Sequence, residues 1–401
     1  MLRGTRFRRR KVSQIPPEQL DRIDLSWEVA GGITMIDPIP AADLQNHNLL
    51  LALKAGEPFR ISRALAWEAS HVAMIGQRFR GTVNRLLDEA EALARDLDEP
   101  MAKGTVDLAR SVAAFFLCDF EESRRHGDAA AQTFRDECVG AAWELDQSLS
   151  FPYWDCYYLG DLAELARRQP ALLAGARERG AVLAESQLTT FGGPFVWLAA
   201  DDPQGALEAI AGAENHWRDV EYQVYHFTLL SAKSEIALYE GRAMEALEAI
   251  NREWPMLRGA LLLHVEIVRT YMNYLLGRAA LATAVESGGP AEAIEHARRS
   301  ARVLSRMKPH FARGGGHYLR AALAHREGEE VRAVSELEKA VREFDADRMG
   351  LHANCARYRL GELIGGDSGR VLVQGFQSWA AEQGLKNAKR MVAVNAPGFG
   401  A

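Results

Sequence analysis

Cysteine is scarce in this chain: Cys118, Cys138, Cys156 and Cys355 are the only four in 401 residues, and none forms a CxxC pair. That spacing excludes the paired-thiolate zinc sites. A chain of this length needs no disulfide staples, so the expectation is reduced, buried thiols in a cytoplasmic protein. Long apolar runs are missing too. Leu49–Leu53 and Ala260–Leu263 fall far short of the roughly 20 residues that span a bilayer, which argues against a membrane protein. Nor is there an excess of positive charge: 48 Lys and Arg stand against 54 Asp and Glu, a net charge of -6. The concentrated cationic surface that nucleic acid demands is therefore not expected. Runs of β-branched residues are few, which disfavours strands.

What the chain has is helix-forming residues, with Ala, Leu, Glu and Arg abundant, each losing little side-chain freedom in a helix. It also has punctuation. Apolar helical stretches stop at Gly76, Cys118-Asp119, Gly160-Asp161, Asp201-Asp202-Pro203, Gly241, Gly288-Gly289-Pro290, Gly328 and Gly365-Gly366. Successive breaks fall about 37 to 47 residues apart, mostly about 40, the spacing of one helical hairpin per repeat. Glycine can take the left-handed conformation that ends a helix. A short connection then forces the two helices antiparallel.

The helices that follow these breaks are amphipathic. Ala333, Val334, Leu337, Ala340, Val341 and Phe344 fall on one face; Ala293, Ile294, Ala297, Ala301 and Leu304 repeat the pattern, at helical spacing. Ser123, Ala246 and Ala333 each come about five residues after a break, and Ala130 and Ala340 about twelve after, places where small side chains let packed helices approach. Tyr239-Glu240-Gly241 through Ala246 and His325-Arg326-Glu327-Gly328 through Ala333 resemble the turn and second helix of the tetratricopeptide repeat, with a longer period. The expected fold is an all-α, tetratricopeptide-like α-solenoid of antiparallel helix pairs with a repeat of about 40 residues. Residues 1–15 read as a basic, solvated linker carrying Arg3, Arg6, Arg8, Arg9, Arg10 and Lys11. Residues 16–394 read as the array and 395–401 as a C-terminal tail.

Catalytic signatures were sought by their chemistry. A kinase needs a glycine-rich loop, a His-Arg-Asp and an Asp-Phe-Gly; no such set occurs, and no GxxxxGK[ST] phosphate loop. Gly314-Gly315-Gly316 lacks the strand context of a nucleotide site, so a hinge or close packing is expected. Gly366-Asp367-Ser368-Gly369 mimics a serine-protease nucleophile, but without a β scaffold or a positioned His and Asp Ser368 reads as a helix N-cap. His310, His317 and His325 cluster loosely with no HExxH, which favours ordinary surface histidines over a metal site. No catalytic, cofactor-binding or metal-ligating residue is assigned. Two groups are candidates for partner binding. Tyr153, Trp154 and Tyr157, with Trp217 and Tyr222 further on, are aromatics of the kind that anchor interfaces or fill cores. Arg298, Arg299, Arg302 and Arg306 form a stripe that suits an acidic or phosphorylated segment, or a solvated face.

Two stretches carry a more specific likeness. One runs Asp24-Leu25-Ser26-Trp27, Met35-Ile36-Asp37, Leu49 through Arg60, and Arg63-Ala64-Leu65-Ala66-Trp67-Glu68-Ala69. The other runs Gly384 through Met391 to Ala396-Pro397-Gly398-Phe399. Both resemble the C-terminal helical region of bacterial fusion proteins in which a serine/threonine protein kinase domain and an AAA-type ATPase domain precede a tetratricopeptide-like region. The resemblance implies a non-catalytic regulatory scaffold that binds a protein, peptide or small effector for a kinase or ATPase in cis or in trans. Neither of those two domains is in this sequence, so the other reading is the C-terminal fragment of a larger kinase. A third, the effector-sensing arm of a transcription regulator, lacks a DNA-binding helix-turn-helix.

Overall fold

A computed structural model describes residues 4–34, 37–217, 220–286, 288 and 290–399, apart from the side chains of residues 215–217. Arg3, Met35, Ile36, Gly289 and the side chain of Trp217, all named above, lie outside the described residues. The protein is all-α: among the described residues there are helices, short 3-10 turns and connections, and no strand. No helix among them is long and apolar enough to cross a membrane. The chain divides into two compact units, residues 1–152 and 153–401.

Unit 1 holds α1 (Pro17–Thr34), α2 (Pro38–Ala55), α3 (Pro58–Ile75), α4 (Arg80–Leu97), α5 (Pro100–Phe116), α6 (Phe120–Glu137) and the first part of α7 (Ala142–Leu159). The helices pack as the pairs α1/α2, α3/α4 and α5/α6, and α3 also packs along α5. Local chemistry sets their starts. Proline opens α2, α3 and α5, where its missing N–H costs nothing. The Glu57 carboxylate accepts from the Phe59 and Arg60 amides at 3.0 and 2.9 Å, capping donors that α3 cannot satisfy itself.

Unit 2 continues with α8 (Leu162–Glu178), α9 (Val182–Thr190), α10 (Pro194–Ala199), α11 (Pro203–Trp217), α12 (Val224–Tyr239), α13 (Ala243–Gly259), α14 (Glu266–Glu286), α15 (Ala291–Leu304), α16 (His310–Arg326), α17 (Glu330–Ala346), α18 (Gly350–Ile364), α19 (Gly366–Glu382) and α20 (Ala388–Asn395). The pairs α12/α13, α14/α15, α16/α17 and α18/α19 stand in chain order. The two ends of unit 2 meet: a Cβ on Gly160 would lie 2.3 Å from the Leu351 amide nitrogen, so only glycine permits that approach.

The punctuation read from the sequence marks the turns inside the pairs. Gly76, Gly160, Gly241, Gly288, Gly328 and Gly365 have positive φ, and so do Cys118 (62°) and Asp201 (56°), which carry side chains. The small residues at the expected crossings, Ser123, Ala130, Ala246, Ala333 and Ala340, are all buried. Gly314 serves close packing: a Cβ there would come 2.7 Å from the Phe344 ring.

Three sequence expectations differ from what is seen. Ser368 lies within the first turn of α19, whose cap position is Gly365; the paired glycines start the helix earlier than a serine cap would. The basic stretch read as a solvated linker is docked on unit 1. The Arg10 amide donates to the Gly56 carbonyl at 2.8 Å, Phe7 packs on the core, and Ile15 is buried. Residues 395–398, read as a tail, are buried in unit 2.

Candidate functional site

The centre of unit 2 is where ionisable chemistry and the C-terminal segment meet. Helices α12, α14, α16 and α18 contribute Phe227, then Tyr271 and Tyr274, then Phe311, then His352 to an aromatic cluster; Tyr157 and Tyr158 join it, with Tyr158 and Phe311 centred 5.8 Å apart. Inside it lie Arg278, with no exposed side-chain surface, and Glu235, with 2%. Taking either charge alone out of water costs several kcal/mol. Here the guanidinium grips the Glu235 carboxylate through both terminal nitrogens, one at 3.1 Å, and the Tyr271 hydroxyl donates to the same carboxylate at 2.9 Å. The Arg278 guanidinium also lies 5.0 Å from the Tyr274 ring centre. His352 sits among Tyr274, Phe311 and Phe344 with its Nδ1 unpartnered. Burial, and the charge of Arg278, hold its pKa down to about 3, so the ring is neutral.

The C-terminal segment closes this centre. Four consecutive main-chain carbonyls are each taken by a side chain. Arg278 donates to Val394 at 3.1 Å, Tyr274 to Asn395 at 3.3 Å, Arg359 to Ala396 at 2.9 Å, and Tyr318 to Pro397. The donors come from α14, α16 and α18. Gly398 passes so close that a Cβ would be 2.9 Å from Ala322. The Phe399 ring stacks on His325 at 5.2 Å and lies 6.0 Å from Tyr318. The segment enters from an exposed turn held by the Lys386 amide on the Ala199 carbonyl at 2.9 Å. The inner helix faces of unit 2 therefore hold the last turn of α20 and the non-helical residues 396–399 that follow it, a segment that is the chain's own. Chemically, the arrangement recognises backbone.

Unit 1 has a different aromatic centre. Trp27, Trp67 and Trp143 pack with centroids 5.5 to 6.2 Å apart. Arg63 lies 4.8 Å from the Trp27 ring centre and 2.6 Å from Asp24. Beside Trp67, Glu68 and His71 are buried, and the Glu68 Oε2 and His71 Nε2 atoms have no hydrogen-bond partner. Burial pushes Glu68 up to about 7 and His71 below its ordinary value. A cleft of about 720 Å³ runs over α4, α5 and α6. Its charges are largely spent on one another: Arg110 on Glu91 at 2.6 Å, His126 on Asp107 at 3.0 Å.

The aromatic candidates from the sequence fall in the interior. The Tyr153 hydroxyl donates to the Leu188 carbonyl at 3.0 Å and accepts from Gln169 at 2.7 Å. Trp154 meets Phe191 edge-on at 5.4 Å, and Tyr157 lies 4.7 Å from Phe195. All three are core residues and present no surface to a partner. Tyr222 is half-buried, stacked on His226 and bonded to Glu253 at 3.1 Å. Arg298, Arg299, Arg302 and Arg306 are exposed; Arg298 pairs with Glu327 at 2.8 Å and Arg302 with Glu295 at 3.3 Å. His310, His317 and His325 each bond a different glutamate of α17, Glu343, Glu336 and Glu330, at 2.7 to 2.8 Å. They do not converge. No group of metal-type ligands comes together among the described residues.

Sequence reading passed over Arg278, Glu235 and Arg359. For the first two a signal exists: Arg278 interrupts Leu275-Leu276 and Ala279-Ala280-Leu281, and Glu235 precedes Ile236-Ala237-Leu238. A lone charge on a wholly apolar helix needs a buried partner. Arg359 carries no such signal. The chain matches no protein-family model and no curated protein.

Proposed function

We propose that this chain is a non-catalytic, cytoplasmic helical-repeat scaffold that binds a protein, peptide or small effector, with a peptide segment favoured. We propose further that it serves a regulatory role for a serine/threonine kinase or AAA ATPase, in cis or in trans. One observation carries the binding part: the captured carbonyls of Val394, Asn395, Ala396 and Pro397. Helix-repeat surfaces offer such faces without chemistry of their own, and donors aimed at main-chain carbonyls bind a strand of almost any sequence. The kinase setting rests only on the resemblance of Asp24–Ala69 and Gly384–Phe399 to the fusion proteins.

Panning a multivalently displayed random-peptide library, whose avidity lets it compete with the chain's own tethered segment, on the purified intact chain tests the binding part. Enrichment of peptides sharing a pattern of small residues is the expected outcome; no enrichment over an unrelated helical protein counts against it. The mass of the natively produced protein separates the scaffold from a fragment of a larger kinase. Peptides mapping upstream of Met1 favour the fragment.

A further inference from the structure

We infer that residues 388–399 are a built-in ligand, seated where a partner segment of the same chemistry docks when the tail is displaced. The inference rests on the scaffold reading above and names the partner: a peptide whose short helix runs into a small residue, proline, glycine and an aromatic ring in succession, as α20 runs into Ala396-Pro397-Gly398-Phe399. Three features define that pattern. The donors Arg278, Tyr274, Arg359 and Tyr318 read only carbonyls, at positions 394–397, so they admit any backbone that follows the same path. Gly398 has φ 98° and a Cβ there would meet Ala322 at 2.9 Å, which requires glycine. Phe399 enters a slot formed by His325, Tyr318 and Arg359, whose guanidinium lies 5.9 Å from the ring centre, which requires an aromatic.

The turn of residues 383–387 joins the segment to α19. Such tethering gives it an effective concentration on the order of mM, so a partner with equal contacts competes poorly while the turn is intact. The segment's own Met391, Val392 and Val394 are buried, which makes spontaneous release rare. Displacement therefore needs either a partner held locally at high concentration or a cut in the turn. The site is regulated by its own tether.

The test keeps the full chain. A protease site inserted at Gly384 lets the protein fold whole and then be nicked. The probe is a fluorescein-labelled synthetic peptide of residues 388–401, followed by anisotropy. Nicked protein is expected to take up the probe, unlabelled peptide to displace it, and uncut protein to take up none. A peptide carrying Phe399→Ala is expected to compete roughly tenfold more weakly, as loss of one partly buried ring implies. Arg359→Gln in the nicked protein is expected to weaken the probe while leaving the helical circular-dichroism signal unchanged. The inference is overturned if the nicked protein never exchanges its tail, if it unfolds as the tail leaves, or if the Phe399→Ala peptide competes as well as the native one. Should the display library enrich peptides on the intact chain while the nicked tail fails to exchange, the scaffold stands and the built-in ligand falls. Exchange without enrichment leaves the reverse.

Discussion

Unit 1 and unit 2 bury ionisable groups by opposite means. Unit 2 pairs them: Arg278 and Glu235 neutralise each other, and Tyr271 and the Val394 carbonyl take further hydrogen bonds. Unit 1 leaves Glu68 and His71 beside a tryptophan cluster with polar atoms unpartnered, and burial shifts both toward their uncharged forms. A buried charge is either matched or discharged: unit 1 discharges Glu68 and His71, whereas unit 2 matches Arg278 with Glu235 and discharges only the neighbouring His352 among the groups described above. The match in unit 2 is completed by its C-terminal segment.

Breaking each centre produces the largest effects. Arg278→Met leaves Glu235 buried without its partner and is expected to cost unit 2 about 3–5 kcal/mol. Trp67→Ala empties the middle of the tryptophan cluster and is expected to cost unit 1 about 3–5 kcal/mol. Hydrogen exchange resolved by residue distinguishes the two, because each substitution should lower protection first in its own unit. Equal loss in both units from either variant contradicts separate centres.

The contrast sharpens with pH. Glu68 is raised from 4.5 to about 7 in the folded protein, so its contribution is fully present below pH 4.5 and is lost as pH rises to 7, about 3 kcal/mol in all. His352 is lowered from 6.5 to about 3, so its contribution is present above pH 6.5 and is lost as pH falls toward 3, at about 1.4 kcal/mol per pH unit. Glu68→Gln should make unit 1 more stable than wild type near pH 7 but not near pH 4. His352→Phe should flatten the acid-side loss in unit 2. Denaturant titrations of both variants at pH 4, 5.5 and 7 check the signs; a Glu68→Gln gain that grows toward pH 4 sinks the assignment.

A smaller effect tests the glycine run. Gly314→Ala places a methyl 2.7 Å from the Phe344 ring, overpacking expected to cost about 1–3 kcal/mol. A hinge role predicts little change in stability, so the melting temperature separates the two.

The helix pairs were legible because they obey local rules. Each expected turn has a residue with positive φ, and even Cys118 and Asp201 were marked by the apolar helix that stops before them. Other turns fall at Asp98, Leu261 and Arg348; leucine and arginine carry no turn chemistry, and tertiary packing imposes their conformation. Tyr153, Trp154 and Tyr157 were ambiguous for a related reason: an aromatic's sequence neighbours do not say which side of the helix is covered. The candidate site was mostly illegible. It joins Arg278, Tyr274, Tyr318 and Arg359 to carbonyls of residues 394–397 across up to 121 positions of sequence. A carbonyl carries no residue identity, so no pattern of side chains announces its capture.

The most direct measurement is hydrogen exchange of residues 388–396 in the intact protein. If the segment is seated as described, the amides of Met391 and Ala396, bonded to the carbonyls of Asn387 and Val392, exchange as slowly as those in the middle of α14 and α16. Exchange within seconds, as for a free tail, contradicts the closed centre of unit 2 and every inference drawn from it.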